Sequence, residues 1–256
     1  MTLTRVFADA EDLAIRASDI FADMIDSALR ERGRALVVLA GGRTPLAAYE
    51  RLAARLRGGS LRLDRVDWLP GDERWVPIGH PDSNEGMMRR VLLGPAGAPE
   101  RTLHSWEPAE GDPADCVARF ADRLGCGPFA EGADLAILGI GADGHTASLF
   151  AGATALLPGG RETPVEPDLP VDAVAVRPAG GETVRLTLTP RWLRMARCVS
   201  FLAAGDGKRE ALRRALRGDR SAPAAWVCGE AETLFLVDRA AAGPGPDATG
   251  RDVRHA

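Results

Sequence analysis

DLAILGI at residues 134–140, running straight into GADGHTASLF at 141–150, is the stretch that decides the fold. A short, nearly unbroken apolar run of this kind suits a strand covered on both faces of a parallel sheet, where neither face meets water. The small residues after it make a loop, and a helix is expected to follow. Gly139, Gly141 and Gly144 also spell G-x-G-x-x-G, the pattern of a dinucleotide-binding turn. Context excludes that reading. The acidic residue expected ~20 positions on should end a second strand, yet here it falls in the irregular GGRETPVEPD of 159–168. Asp143 and His145 would also crowd the seat of a pyrophosphate. A carboxylate and an imidazole on a glycine loop suit acid/base chemistry, because His exchanges protons near neutral pH.

Working outward, Leu13, Ala17, Ile20, Met24, Ala28 and Leu29 recur at helical spacing between a cap at Asp9 and a stop at Gly33. The run Leu36–Leu39 reads as a second buried strand, with Pro45 placed to open a helix that continues through Leu46, Tyr49, Leu52 and Leu56. Strands are expected at Val66–Leu69, Ala173–Val176, Arg185–Thr189, Val199–Ala203 and Thr233–Val237. Helices are expected at 83–93, capped by Ser83, at 112–124 and at 208–216. Strands alternating with helices imply right-handed βαβ units, hence an α/β protein with a largely parallel sheet and helices on both faces, a three-layer fold. Residues 1–239 are expected to form a single domain, with the Pro/Gly-rich stretch 157–170 as a surface excursion within it. The Ala/Gly/Pro-rich residues 240–256 are expected to form a flexible tail.

In such a sheet ligands bind outside the carboxyl ends of the strands, so the residues that follow each strand are the candidates. After Leu36–Leu39 comes AGGRTP, where Gly41 and Gly42 admit close approach and Arg43, Thr44 and a helix N-terminus offer donors to a phosphate. The full G-x-x-x-x-G-K-[ST] pattern is missing. After Val66–Leu69 comes PGDERW, read as a charged loop in which Asp72 can orient or accept a proton and Arg74 can hold a phosphate or a developing oxyanion. After Val199–Ala203 comes GDGK. Lys208 is the only lysine among 32 basic residues, which points to a need for a compact ammonium that binds phosphate as a point charge.

Composition narrows the function classes. The chain has 256 residues, 45% hydrophobic and 27% charged, a balance typical of a globular enzyme. A net charge of −4 with no basic stripe excludes nucleic acid as a partner. No apolar run approaches the ~20 residues needed to cross a membrane, and MTLTRVFADAEDL lacks the apolar core of a signal peptide, so a cytoplasmic location is expected. The four cysteines lack C-x-x-C spacing, the four histidines lie far apart, and no G-x-S-x-G elbow is present. Neither a metal nor an acyl-serine mechanism has a sequence cue.

Taken together, AGGRTP, GDERWVP with the later Asp82-Ser83-Asn84, GIGADGHTASLF, RLTLT at 185–189 and GDGK resemble the 6-phosphogluconolactonase family, over nearly the whole chain from residue 6 to Asp238. The resemblance implies a Rossmann-like fold shared with glucosamine-6-phosphate deaminase and a hydrolase without metal or cofactor, which opens 6-phospho-D-glucono-1,5-lactone. It implies a small sugar-phosphate partner; the sequence does not fix the oligomeric state, monomer or small homo-oligomer. His145 would act as general base, with Asp143 or Asp72 orienting it or the substrate and Arg74 assisting the phosphate or the oxyanion. Gly41, Gly42, Arg43, Thr44, Asn84 and Lys208 would bind the substrate and its phosphate. Ala40 departs from the pattern, because many relatives carry a hydroxyl residue before the two glycines. Two other readings share the fold. A glucosamine-6-phosphate isomerase would need a carboxylate five residues after the His, where this chain has Phe150. A sugar-phosphate sensor would usually carry an added DNA-binding module.

Overall fold

A computed structural model describes residues 1–59, 61–108, 111–157, 159–180, 183–244 and, by backbone, 253–255. In chain order the elements are β1 (Thr2–Phe7), α1 (Ala10–Arg32), β2 (Ala35–Leu39), α2 (Leu46–Gly58), β3 (Val66–Pro70), β4 (Asp72–Arg74), α3 (Asn84–Met88) and α4 (Gly94–Ala96). Next come α5 (Pro113–Leu124), β5 (Leu135–Gly139), β6 (Thr154–Leu156), β7 (Glu162–Pro164), β8 (Ala173–Arg177), β9 (Arg185–Leu188) and α6 (Pro190–Leu193). The chain closes with β10 (Cys198–Ala203), α7 (Arg209–Leu216), β11 (Glu232–Asp238), α8 (Arg239–Ala242) and β12 (Val253–His255).

The larger sheet has the order β12-β1-β11-β10-β5-β2-β3, parallel throughout except for β12 at its edge. Its inner strands β2, β5, β10 and β11 are buried on both faces, as their apolar runs require. In β5, Leu135 and Ile137 join Phe21, Ile25, Tyr49 and Leu52 of α1 and α2 on one side, while Ala136 and Leu138 join Val117 and Phe120 of α5 and Val174 of β8 on the other. Successive side chains alternate across a strand, so one continuous apolar run feeds two cores. Burying each such Leu, Ile or Phe contributes about 1.5–3 kcal/mol.

Local signals hold at α1. Asp9 Oδ1 accepts the backbone N–H groups of Glu11 and Asp12 at 3.0 and 2.9 Å, and Gly33 closes the helix at φ 70° with its N–H on the Leu29 carbonyl. Ser83 caps α3 through the Gly86 N–H at 2.9 Å, after which the helix passes through a π-helical turn at Arg89–Leu93.

Three expectations need correction. The strands around 173–189 do not continue the parallel sheet but form a second one, antiparallel, in the order β4-β9-β8-β6-β7. The segment joining β8 to β9 is too short for the dozen or more residues of a parallel crossover. No helix follows β5: Thr146 Oγ1 donates to the Gly139 carbonyl at 2.8 Å, and Ser148 gives its N–H to Thr187 and its hydroxyl to Asp72. These tertiary partners outbid a helical turn, and Ala147 takes φ 47°. The segment Asp72–Arg74 is a strand, not a charged loop. Of the residues from 240 on, α8 is capped by Asp238 and Val253–His255 pairs with β1, while 245–252 and 256 lie outside the described residues.

Candidate active site

The carboxyl ends of β2, β5 and β10 open into a cleft roofed by β4 and β9. It is lined by Gly41, Gly42, Arg43, Thr44, Asp72, Arg74, Asn84, His145 and Lys208, together with Ala147, Phe150 and Arg185 among others. Of the residues singled out in the sequence, only Asp143 stands off the lining, behind His145.

The AGGRTP segment is fixed from below. Tyr49, fully buried on α2, accepts the Ala40 N–H at 2.9 Å and donates to the Ala40 carbonyl at 3.1 Å. Burial pushes its phenol far above the ordinary range, more than the Ala40 hydrogen bond lowers it, so the hydroxyl stays neutral. A Cβ at Gly41 would come within 2.0 Å of Asn84 Oδ1, so only glycine lets Asn84 enter the cleft wall. No side chain caps the α2 N-terminus, which leaves its N–H groups beside Thr44.

β4 sorts three adjacent charges by strand alternation. Asp72 and Arg74 line the cleft. Glu73 faces the other way, fully buried, and accepts the N–H groups of Arg74, Asn84 and Glu85 at 2.6, 2.8 and 2.8 Å and the Ser83 hydroxyl at 2.9 Å. Burial pushes its carboxyl up, against the pull of those hydrogen bonds. The buried carboxylate therefore ties β4 to the start of α3 and sets Asn84 in place. Asn84 Nδ2 donates to Asp72 Oδ1 at 3.1 Å, and Ser148 Oγ donates to Asp72 Oδ2 at 2.6 Å. Arg74 donates to the Asp82 carbonyl.

His145 Nδ1 lies 2.6 Å from Asp143 Oδ1, which also accepts the His145 N–H at 3.2 Å. Partial burial raises the Asp143 carboxyl, but the facing His145 and its hydrogen bonds outweigh that and hold it below the usual carboxylate range. The Phe150 ring sits 4.5 Å from the imidazole, centroid to centroid. A Cβ at Gly141 would fall 2.1 Å from His145 Nδ1, so that glycine is what lets the imidazole settle against Asp143. Arg214 donates to the Asp143 carbonyl at 2.6 Å and fixes the loop from outside.

Lys208 opens α7 and makes no ion pair among the described residues. Its loop is held by Asp238, buried at the end of β11, which accepts the Gly205 N–H at 3.0 Å and the Ala241 N–H at 2.7 Å. Sequence reasoning missed Arg185, Tyr49, Ser148 and Asp238. For Arg185 a signal existed: in RLTLT the polar residues 185, 187 and 189 alternate with leucine, which puts Arg185 on a polar face. Among the described residues no group of three or more His, Cys, Asp or Glu is placed to hold a metal ion. No helix among them is long and apolar enough to cross a membrane.

A glycine-rich loop before a helix N-terminus and an Asp-paired histidine thus meet at the strand ends of an α/β sheet, where such folds bind ligands and do chemistry. The family model for glucosamine-6-phosphate isomerases/6-phosphogluconolactonase matches residues 8–236, and the chain belongs to that family. Within it, relatives named 6-phosphogluconolactonase include that of Synechocystis sp., 32% identical over 92% of this chain and 95% of that protein. Another, from Pseudomonas putida, is 35% identical over 83% and 82%. The crystal structure of 6-phosphogluconolactonase from Thermotoga maritima superposes with a TM-score of 0.79 at 28% identity, covering 93% of this chain and all of that one.

Proposed function

We propose that the chain hydrolyses 6-phospho-D-glucono-1,5-lactone to 6-phospho-D-gluconate, a step of the pentose phosphate pathway, with His145 as general base. The observation that carries this reading is the His145–Asp143 pair, 2.6 Å apart, at the edge of a cleft that also holds the Gly41–Thr44 loop and Lys208. With Nδ1–H given to the carboxylate, Nε2 keeps its lone pair for a water molecule. His145 takes one proton of that water as its oxygen bonds to C1. When the C1–ring oxygen bond breaks, the imidazolium returns the proton to the ring oxygen, so one residue serves both halves of the reaction.

The 6-phosphate is held by Gly41, Gly42, Arg43, Thr44 and Lys208. Asn84 and Asp72 meet the sugar hydroxyls, and Arg74 meets the carbonyl oxygen as charge develops on it. Phe150 occupies the position where isomerisation would need a carboxylate, which favours hydrolysis over the sister activity. Residues 1–239 act as one unit, because the cleft takes side chains from both sheets. The chemistry is that of a cytoplasmic enzyme without metal or cofactor. The test is a direct assay with freshly made lactone, following proton release or coupled NADPH formation. A rate equal to spontaneous hydrolysis at micromolar protein would overturn the reading.

A further inference from the structure

Tyr49 is the only tyrosine of the chain, and it is fully buried with its hydroxyl bound to a single residue, Ala40. Ala40 lies one step past the last rungs of β2 on β3 and β5, where Leu39 stands opposite Pro70 and Val38 opposite Ala136. It is itself buried, so its N–H and carbonyl need partners although the ladder has ended. The phenol serves both, accepting the N–H at 2.9 Å and donating to the carbonyl at 3.1 Å. The ring hangs from the first turn of α2, where the Tyr49 N–H donates to the Pro45 carbonyl at 2.8 Å. One hydroxyl thus closes the end of a strand on the start of the next helix, and residues 41–44 are the span between them. Gly42 takes φ 86° within that span, and Gly41 has no room for a Cβ beside Asn84. A phenylalanine would fill the same space in the core, so the oxygen is what a tyrosine adds.

We propose that Tyr49 is a positioning residue for the phosphate end of the cleft: its hydroxyl aims the backbone of the Gly41–Thr44 loop at the anion without touching it. The inference rests on the assignment of the 6-phosphate to that loop in the reading above. In a trans peptide the carbonyl and the following N–H point in opposite directions. Holding the Ala40 carbonyl on Tyr49 therefore turns the Gly41 N–H away from the core, at a residue that lines the cleft. Backbone N–H groups bind an anion well only when they converge on one point beside the helix N-terminus. Without the hydroxyl, two buried polar groups of Ala40 lose their partner, and rotation of the 40–41 peptide toward a new one carries the Gly41 N–H with it.

The experiment measures the ratio of kcat/KM for the phosphorylated lactone to that for gluconolactone, and the affinity for inorganic phosphate by calorimetry, in the unmodified enzyme, Tyr49→Phe and Leu52→Val. Tyr49→Phe is expected to lower the ratio by about 3- to 10-fold, through KM, and to weaken inorganic phosphate by the same factor, the worth of one neutral hydrogen bond. Leu52→Val trims the buried face of the same helix and keeps the hydroxyl, so its ratio should stay that of the unmodified enzyme. Equal loss with both lactones in Tyr49→Phe, or an equal fall of the ratio in Leu52→Val, would make the hydroxyl a support of the fold in general and overturn the proposal. Because Tyr49 is the only tyrosine, 3-fluorotyrosine incorporated during growth labels it alone and keeps its hydroxyl. Its fluorine signal is expected to shift as inorganic phosphate is added. If Tyr49→Phe does not fold, that signal decides, and one that stays in place at saturating phosphate overturns the proposal. If the unmodified enzyme opens neither lactone, the hydrolase reading falls and the phosphate affinities alone judge Tyr49: weakening in Tyr49→Phe upholds its role, and undiminished affinity ends it. An unmodified enzyme that binds no phosphate would end both.

Discussion

His145 and Asp143 show what a two-residue spacing on a glycine loop accomplishes: the imidazole is oriented, paired and held over the cleft without a third element. Replacing His145 by Ala should lower kcat by about 10²–10⁴-fold if it is the general base, with circular dichroism unchanged because the His145 side chain is part of neither core. Near-normal turnover would exclude His145 from the proton transfers. Asp143 is held below the ordinary carboxylate range. A carboxyl lowered by folding stabilises the fold above its unfolded-state value, and that contribution is lost only as pH falls through the lower, folded value. Asp143 therefore stays an anion throughout any neutral assay. Since Asp143 is 61% exposed, the screened pair is worth about 0.2–1 kcal/mol. Asp143→Asn should lower kcat/KM with the fold intact, because the imidazole loses its carboxylate partner, and an unchanged kcat/KM in steady-state assays would contradict the pairing. Lys208→Ala should cost about 1.5–3 kcal/mol in kcat/KM, mostly through KM, because the phosphate is the same in ground and transition states. Steady-state kinetics of Lys208→Arg check the geometry: partial recovery is expected, and full recovery would make the lysine incidental.

At the scale of elements, β4 is three residues long and depends on one buried carboxylate. Glu73 gathers three backbone N–H groups and a hydroxyl, and through them fixes the start of α3 and the position of Asn84. Glu73→Ala would leave those donors buried and unpaired at about 1–3 kcal/mol each, so a loss of at least about 3 kcal/mol of stability is expected in urea unfolding. Activity should fall in the same variant below its unfolding midpoint, because Asn84 and Asp72 lose their frame. A wild-type midpoint would show that the hydrogen bonds are replaced by water.

The whole molecule uses two sheets of opposite character for one cleft. The parallel sheet supplies the loops that carry Arg43, His145 and Lys208, and the antiparallel sheet supplies Asp72, Arg74 and Arg185. Binding energy from a phosphate remote from C1 is available for orienting the ring. Gluconolactone without the phosphate should therefore show a kcat/KM lower by at least about tenfold, the worth of one charge-assisted contact. Equal turnover of the two lactones would dismiss the phosphate cradle.

How much of this the sequence determined by itself follows from the range of the interactions. The α1 boundaries at Asp9 and Gly33, the buried strands and the Ser83 cap were legible because capping, φ > 0 at a glycine and apolar runs act over a few residues. The loops carrying Gly41–Thr44, Asp143–His145 and Lys208 were legible for the same reason: a strand followed by small residues ends where ligands bind. Only the tertiary structure decided that Thr146–Phe150 is no helix, since Thr146 and Ser148 give their donors to Gly139, Thr187 and Asp72, up to 76 residues away. Tertiary pairing likewise made Asp72–Arg74 a strand, turning Glu73 into the core and bringing Arg185 opposite Arg74. A three-residue run of charges has no period of its own to read, and its alternation is imposed by the partner strand that hydrogen-bonds to it.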